Sequence, residues 1–194
     1  MIQFTDLITH PQMPFEQYME MPYKSHSWLK YNINGVMPFK DLTNKMALGK
    51  CVDAFRTGES NIYDFDSETI TIARPISAFL MDKFGVILDK SIKQAVCTGT
   101  ATYKGIKMRI KTRIDFLIPK VCTIDLKVSG CTNFEENIQH MGYGNQVFIQ
   151  TSLADVPRGW LLIYSTKTKG IYFRPRPKED AHNWLINKIL EHGE

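Results

Sequence analysis

Between Ser91 and Val128 the chain passes through three stretches, Ser91–Thr102, Lys107–Ile118 and Cys122–Val128, rich in β-branched residues and alternating with period two. Short connections separate them, so they read as adjacent antiparallel strands. Alternation assigns their faces. On the second stretch Arg109, Lys111, Arg113 and Asp115 share one face, and Ile110, Ile114, Phe116 and Ile118 share the other. On the third, Thr123, Asp125 and Lys127 oppose Ile124, Leu126 and Val128. Faces this apolar require a covering helix, and the polar faces are free to line a cleft.

The flanking sequence supplies the helices. Thr43–Thr57 reads as a helix ended by Gly58 in the C′ role. Ile76, Phe79, Leu80 and Phe84 give helical spacing to Arg74–Phe84. Ser25-His-Ser-Trp-Leu-Lys30 reads as the start of a short helix with a serine as its N-cap. Thr132 and Glu135 form a capping-box pattern ahead of a helix that runs to Leu153 with an interruption near Gly142 and Gly144. Trp160–Ser165 and Gly170–Arg174 are two further strands, and Lys178–His192 is a closing amphipathic helix with Ala181, Trp184, Leu185 and Ile189 towards the core. Residues 1–22, rich in Pro and Met and without clear periodicity, read as an irregular arm ahead of a single domain spanning 23–194. The expected class is mixed α/β: a central mixed sheet, containing an antiparallel meander, flanked by helices.

A chain of 194 residues is long enough for one sizeable core, and its 43% hydrophobic and 23% charged residues are ordinary for a globular protein. The net charge of +4 says little, but the basic residues run together in two places, 104–113 and 167–178. Such runs can neutralise phosphates, or simply solvate a strand face. Cys51, Cys97, Cys122 and Cys131 show no C-x-x-C spacing, which argues against a zinc or iron–sulfur site and for reduced thiols. No stretch approaches the ~20 apolar residues of a membrane span, and a location inside a cell, in the cytoplasm, is expected.

The polar groups of the meander are those that phosphodiester hydrolysis uses. Two carboxylates can hold Mg²⁺, a hard cation that prefers oxygen. A lysine beside them can orient the attacking water and stabilise charge on the phosphate. An isolated D-x-K is more often an ion pair on a solvated strand. The second aspartate, across a hairpin, is what sets this one apart. For Asp115 and Asp125 to share a face, Ile118 must oppose Cys122 and Leu117 must oppose Thr123, so the loop must contain an odd number of residues, 119–121 or 118–122. A two-residue turn would slip the register by one and part the carboxylates.

At these residues the chain resembles the PD-(D/E)-x-K nucleases. Asp115 matches the first acidic position and Asp125-Leu126-Lys127 the triplet, with Ile114 where proline often stands. Three more features resemble the RecE-type, lambda-exonuclease-type and RecB-type branch. Tyr23-Lys-Ser25-His-Ser27-Trp-Leu29 is similar to its serine-containing first helix. Leu48-Gly49-Lys-Cys-Val-Asp53 resembles its G-x-x-x-H motif, with Asp53 in place of the ligating histidine. Gly142-Tyr143-Gly-Asn-Gln146-Val-Phe-Ile-Gln150 resembles its Q-x-x-x-Y helix; Gln146 matches, Gln150 replaces the tyrosine, and Tyr143 lies one turn earlier on the same face. Trp160–Tyr164 resembles the strand that follows.

The resemblance covers Tyr23–Phe173 and implies a restriction-endonuclease-like core and a Mg²⁺-dependent DNA exonuclease, Mn²⁺ being able to substitute. It implies Asp53, Asp115, Asp125 and the Leu126 carbonyl as metal ligands, Lys127 as the group that activates water, and Gln146 as the residue that positions Lys127 or the phosphate. Ser25, Ser27, Lys111, Arg113, Tyr143, Arg174 and Arg176 are the residues expected to contact DNA. It further implies a phage-type recombination setting, with a homo-oligomer or a single-strand annealing protein as partner, in a bacterial or phage-infected cell. The alternatives are a structure-specific or restriction-like endonuclease on the same site, and an inactive DNA-binding or virion-associated module of the same fold. His26, His140, His182 and His192 match no motif position and read as surface or capping residues.

Overall fold

The three alternating stretches form the middle of the sheet. In the computed structural model, which describes residues 1–31, 44–58, 61–130, 132–175 and 179–194, they are β2 (Ile92–Tyr103), β3 (Ile106–Ile118) and β4 (Cys122–Ser129). β2 and β3 are antiparallel from Ile92 opposite Leu117 to Tyr103 opposite Ile106. Before them comes β1 (Gln3–His10), an antiparallel edge strand on β2, and after them β5 (Arg158–Ser165) and β6 (Ile171–Pro175). The order along the six-stranded sheet is the order in the chain. β4 and β5 are parallel and every other neighbouring pair is antiparallel, so the sheet is mixed. Parallel neighbours need a crossover, and α5 (Phe134–Met141) and α6 (Tyr143–Leu153) provide it.

Helices cover both faces. Leu162 and Tyr164 of β5 join the cluster of α3 (Asn44–Thr57) and α4 (Ser67–Asp89), whereas Leu161 and Ile163, pointing the other way, pack with Ile138 of α5. α6 and α7 (Glu179–His192) close the core over β2 and β3 through Ile149, Leu153, Leu185 and Ile189. α6 is seated very close to β5. A Cβ on Gly159 would come within 2.3 Å of Val147 and 2.6 Å of Thr151, so only glycine lets the helix approach this near. Gly142, at φ +64, supplies the left-handed residue that ends α5 and starts α6, the interruption expected there. Gly58 likewise takes φ +71 after α3.

The structure departs from the sequence reading of the elements in three places, and β3 does not keep one apolar face: Ile110 and Ile114 pack in one cluster, Phe116 and Ile118 in another. The first 22 residues are not irregular: besides β1 they contain α1 (Phe15–Glu20). The strand is hidden because its register slips between Thr5 and Ile8, with Asp6 at φ +54, and because an exposed edge has no buried face to keep apolar. α4 begins at Ser67, seven residues before the expected start at Arg74, capped by Asp66 accepting from Thr69 N–H at 2.7 Å, and passes through Pro75. The cap of α5 is Asn133 with Glu136, one residue later than the Thr132–Glu135 pattern. Ser25 does cap α2 (His26–Tyr31), its Oγ accepting from Trp28 N–H at 3.2 Å. Cys51, Cys97 and Cys122 are buried free thiols; Cys131 lies outside the described residues. No helix among the described residues is long and apolar enough to cross a membrane.

Candidate active site

β3 and β4 stay paired only from Ile118 opposite Cys122 to Phe116 opposite Ile124. Beyond that point β4 follows β5 while β3 keeps to β2, and the two strands part as a fork. The hairpin that joins them has the odd loop and the register the sequence argument required, with Leu117 opposite Thr123. Lys120 takes φ +63, and Val121 N–H donates to the Ile118 carbonyl at 3.0 Å. Asp115 and Asp125 are the first residues past the last pair. They do not extend the ladder; Asp115 Oδ2 accepts from Leu126 N–H at 2.7 Å instead.

Asp115 also falls where the strands change face. Ile114 and Leu117, three apart, pack in one apolar cluster, as do Ala95 and Ile92 on β2, and Gln94 has φ +53. Residues three apart share a face only where the two-residue repeat is broken. That break sits at the mouth of the fork.

Three elements furnish the fork. From β4, Asp125 is fully buried and its Oδ2 lies 2.5 Å from Lys127 Nζ. From α6, Gln146 Nε2 and Gln150 Nε2 each donate to Asp125 Oδ1 at 2.9 Å. Tyr143, one turn earlier, sets its ring centroid 5.4 Å from Lys127 Nζ. From α3, Asp53 accepts at Oδ2 from Gln94 Nε2 at 2.9 Å, while its Oδ1 is buried with no hydrogen-bond partner.

This is a crowded acidic cluster, three carboxylates about Lys127 with Arg113 at its edge. Burial pushes the Asp53 carboxyl up to about 6, opposed by Lys127 and Arg113 and helped by Asp125. Asp115 is raised well above the usual carboxylate range by burial and then by Asp125. Burial opposes the charge on Lys127, but Asp125 and Asp115 outweigh it and hold the ammonium protonated. Among the described residues no three His, Cys, Asp or Glu side chains converge as a ready metal cage. An open site needs less. Mg²⁺ is commonly held by one or two carboxylates, several waters and substrate phosphates, and the all-oxygen set with an unpartnered Asp53 oxygen fits that kind of site.

Asp53, Asp115, Asp125, Lys127, Gln146 and Tyr143, named from the sequence, thus come together. Arg113 lies beside them, sharing a cavity with Asp53. Lys111 does not join them, which corrects its expected place on a DNA-facing surface. Its side chain is buried under α1, and its ammonium donates to the carbonyls of Tyr18, Met19 and Met21 at 2.5, 3.2 and 2.9 Å. Ser25 has its capping task, and Ser27 is half-buried on α2. Arg174 stands opposite Leu161 on β6, and Arg176 lies outside the described residues. Of the histidines, His26 is buried rather than superficial: burial, then Lys30 and Lys127, depress its pKa to about 3. The sequence reading did not assign Gln150 or Gln94 to the site. Gln150 was legible, four residues from Gln146 on the same face; for Gln94 the strand pattern held no signal.

The fold is shared with a solved structure. A protein from Eubacterium rectale, whose name as an exonuclease is itself provisional, superposes with a TM-score of 0.69 over 92% of this chain and 83% of its own, at 16% identity. The likeness shows a shared fold and transfers no residue roles. A second solved structure aligns at TM-score 0.42 and 17% identity over 84% of this chain and 82% of its own, and carries no argument. No family profile and no curated protein matches the sequence.

Proposed function

We propose that the chain is a metal-dependent deoxyribonuclease, an exonuclease of the PD-(D/E)-x-K kind related to the RecE, lambda-exonuclease and RecB branch. The observation that carries this reading is the fork: Asp115 on one strand, Asp125 and Lys127 on the other, and two glutamines behind them. A nuclease-like fold supports it. Asp115 and Asp125, with Asp53 beside them and the Leu126 carbonyl in reach of the same strand, would hold Mg²⁺ or Mn²⁺. Such an ion lowers the pKa of its bound water and polarises the phosphate.

The chain's own groups do the rest. Gln146 and Gln150 fix Asp125 Oδ1, so the carboxylate is oriented before DNA arrives. Lys127 presents a fixed positive charge to the phosphate oxygens and orients the attacking water, meeting charge that grows in the transition state. Tyr143 walls the lysine on the α6 side.

The test is direct. Purified protein is incubated with linear, closed circular and single-stranded DNA in Mg²⁺, Mn²⁺ or EDTA. Loss of linear DNA with either metal, none in EDTA, and intact circles are expected. Cut circles would make the enzyme an endonuclease, and cleavage in EDTA would remove the metal from the reading.

A further inference from the structure

The segment expected to be a loose arm is pinned along β3 by aromatic–cation contacts. Phe15 lies over Arg113 at 5.0 Å, Tyr18 over Lys111 at 4.6 Å and Tyr23 over Arg109 at 5.6 Å. The cations are successive residues of one strand face, and the aromatics follow them in the opposite direction, so α1 is a fixed wall beside the fork. At its end, Phe15 stacks beside Tyr18 with ring centroids 6.2 Å apart, yet remains 46% exposed.

That ring borders a cavity of about 460 Å³ whose other walls include Lys50, Asp53, Gln94 and Arg113. Asp53, half-buried, is the carboxylate with the unpartnered buried oxygen, and it feels the charges of Asp125 and Lys127. The cavity therefore opens beside the catalytic cluster. Its lining brings together the exposed side of Phe15, the cations Lys50 and Arg113 and the carboxylates Glu16 and Asp53, in a volume at the lower end of small-ligand pockets, which run from roughly 300 Å³ upward. A nucleotide presents the matching parts, a π-face and a phosphate. A base within duplex has both faces covered by its neighbours and cannot use the ring; an unpaired base can.

We propose that this cavity takes a single unpaired nucleotide of the DNA substrate, with Phe15 as the stacking platform and Lys50 and Arg113 as the phosphate partners. The proposal rests on the nuclease reading and sharpens its substrate to DNA with unpaired ends or single strands.

Full-length protein in EDTA, where no cleavage is expected, is titrated into a single strand carrying 2-aminopurine at its end and, separately, into a blunt duplex. Quenching of the single strand's fluorescence by the wild type is expected. Phe15→Leu, which keeps apolar bulk but removes the π-face, should weaken single-strand binding about tenfold and leave the duplex unchanged, stacking being worth ~1–3 kcal/mol per base. Phe15→Trp should restore both quenching and affinity. Unaltered single-strand binding by Phe15→Leu overturns the pocket, and so does equal weakening on both substrates. Cleavage in Mg²⁺ without dependence on Phe15 would sink the pocket and spare the nuclease. Phe15-dependent binding without cleavage in any metal would do the reverse.

Discussion

Lys111 on β3 is buried and Lys127 on β4 is half-buried, and their surroundings differ in kind. Lys111 lies under α1, where its ammonium meets three backbone carbonyls and no carboxylate. Burial lowers its pKa, and neutral dipoles at the end of a helix compensate the charge. Lys127 lies in the fork, where one ammonium faces Asp125, Asp115 and Asp53. The first region is balanced without help. The second gathers three carboxylates about Lys127 and Arg113, and burial with mutual repulsion raises the Asp53 and Asp115 carboxyls, an arrangement that costs stability. Balance marks Lys111 as a structural residue, and the crowded carboxylates make Lys127 the candidate for function.

The largest effect should come from removing the lysine of the unbalanced region. Lys127→Ala should lower single-turnover cleavage by about 10²–10³-fold, the range for loss of one group aimed at transition-state charge. The glutamines still hold Asp125, so the fold and much of the DNA affinity should survive. Undiminished turnover would take Lys127 out of the mechanism.

Asp53 tests whether the imbalance costs stability. Its folded pKa of about 6 lies above its ordinary 3.8. A raised acid favours the folded state fully below the unfolded value, and that contribution is lost as pH climbs from ~4 through ~6. Above pH 7 the deficit approaches ~3 kcal/mol. Asp53→Asn removes it while still accepting from Gln94. In EDTA at pH 7.5 the variant should unfold at higher urea than the wild type, with the gap closing near pH 4. Mg²⁺ should then stabilise the wild type more than the variant. A variant less stable than wild type at pH 7.5 would mean that the cluster is not strained.

The balanced region should answer in the opposite manner. Lys111→Ala deprives three carbonyls at the end of α1 of their donor and should cost about 2 kcal/mol in urea unfolding. Turnover of the folded protein should change only a few-fold. Lost turnover with unaltered stability would erase the distinction between the two lysines.

The fold was legible where burial enforces a period. β2, β3 and β4 were legible as strands from their alternating, β-branched stretches, though not the break in that alternation at Gln94 and Asp115, and the register at Leu117–Thr123 followed from chemistry that needed both aspartates together. β1 was illegible because an edge strand with a register slip has no such period. The site divides the same way. Asp115, Asp125, Lys127 and Gln146 were readable from spacing on single elements. The burial of Lys111 was not, because the carbonyls that bind it come from a segment some ninety positions away. Nor was Gln94, whose direction depends on a positive φ that a glutamine does not announce.

Gln150 touches both regions and should give the smallest effect. Its Nε2 lies 2.9 Å from Asp125 Oδ1 in the fork and 3.3 Å from the carbonyl of Arg113, on the strand that carries Lys111. Gln146 donates to the same carboxylate oxygen, so losing Gln150 alone leaves Asp125 oriented by one amide instead of two. Gln150→Ala should therefore reduce cleavage about fivefold, near the ~1 kcal/mol of one hydrogen bond. If the glutamines act as one clamp, Gln146→Ala with Gln150→Ala should cost more than the product of the single losses, because only then is the carboxylate free to turn. Strictly multiplicative losses would mean that each amide acts alone. In that case the orientation of Asp125 comes from Lys127, and the fork is organised by its ion pair rather than by the helix behind it.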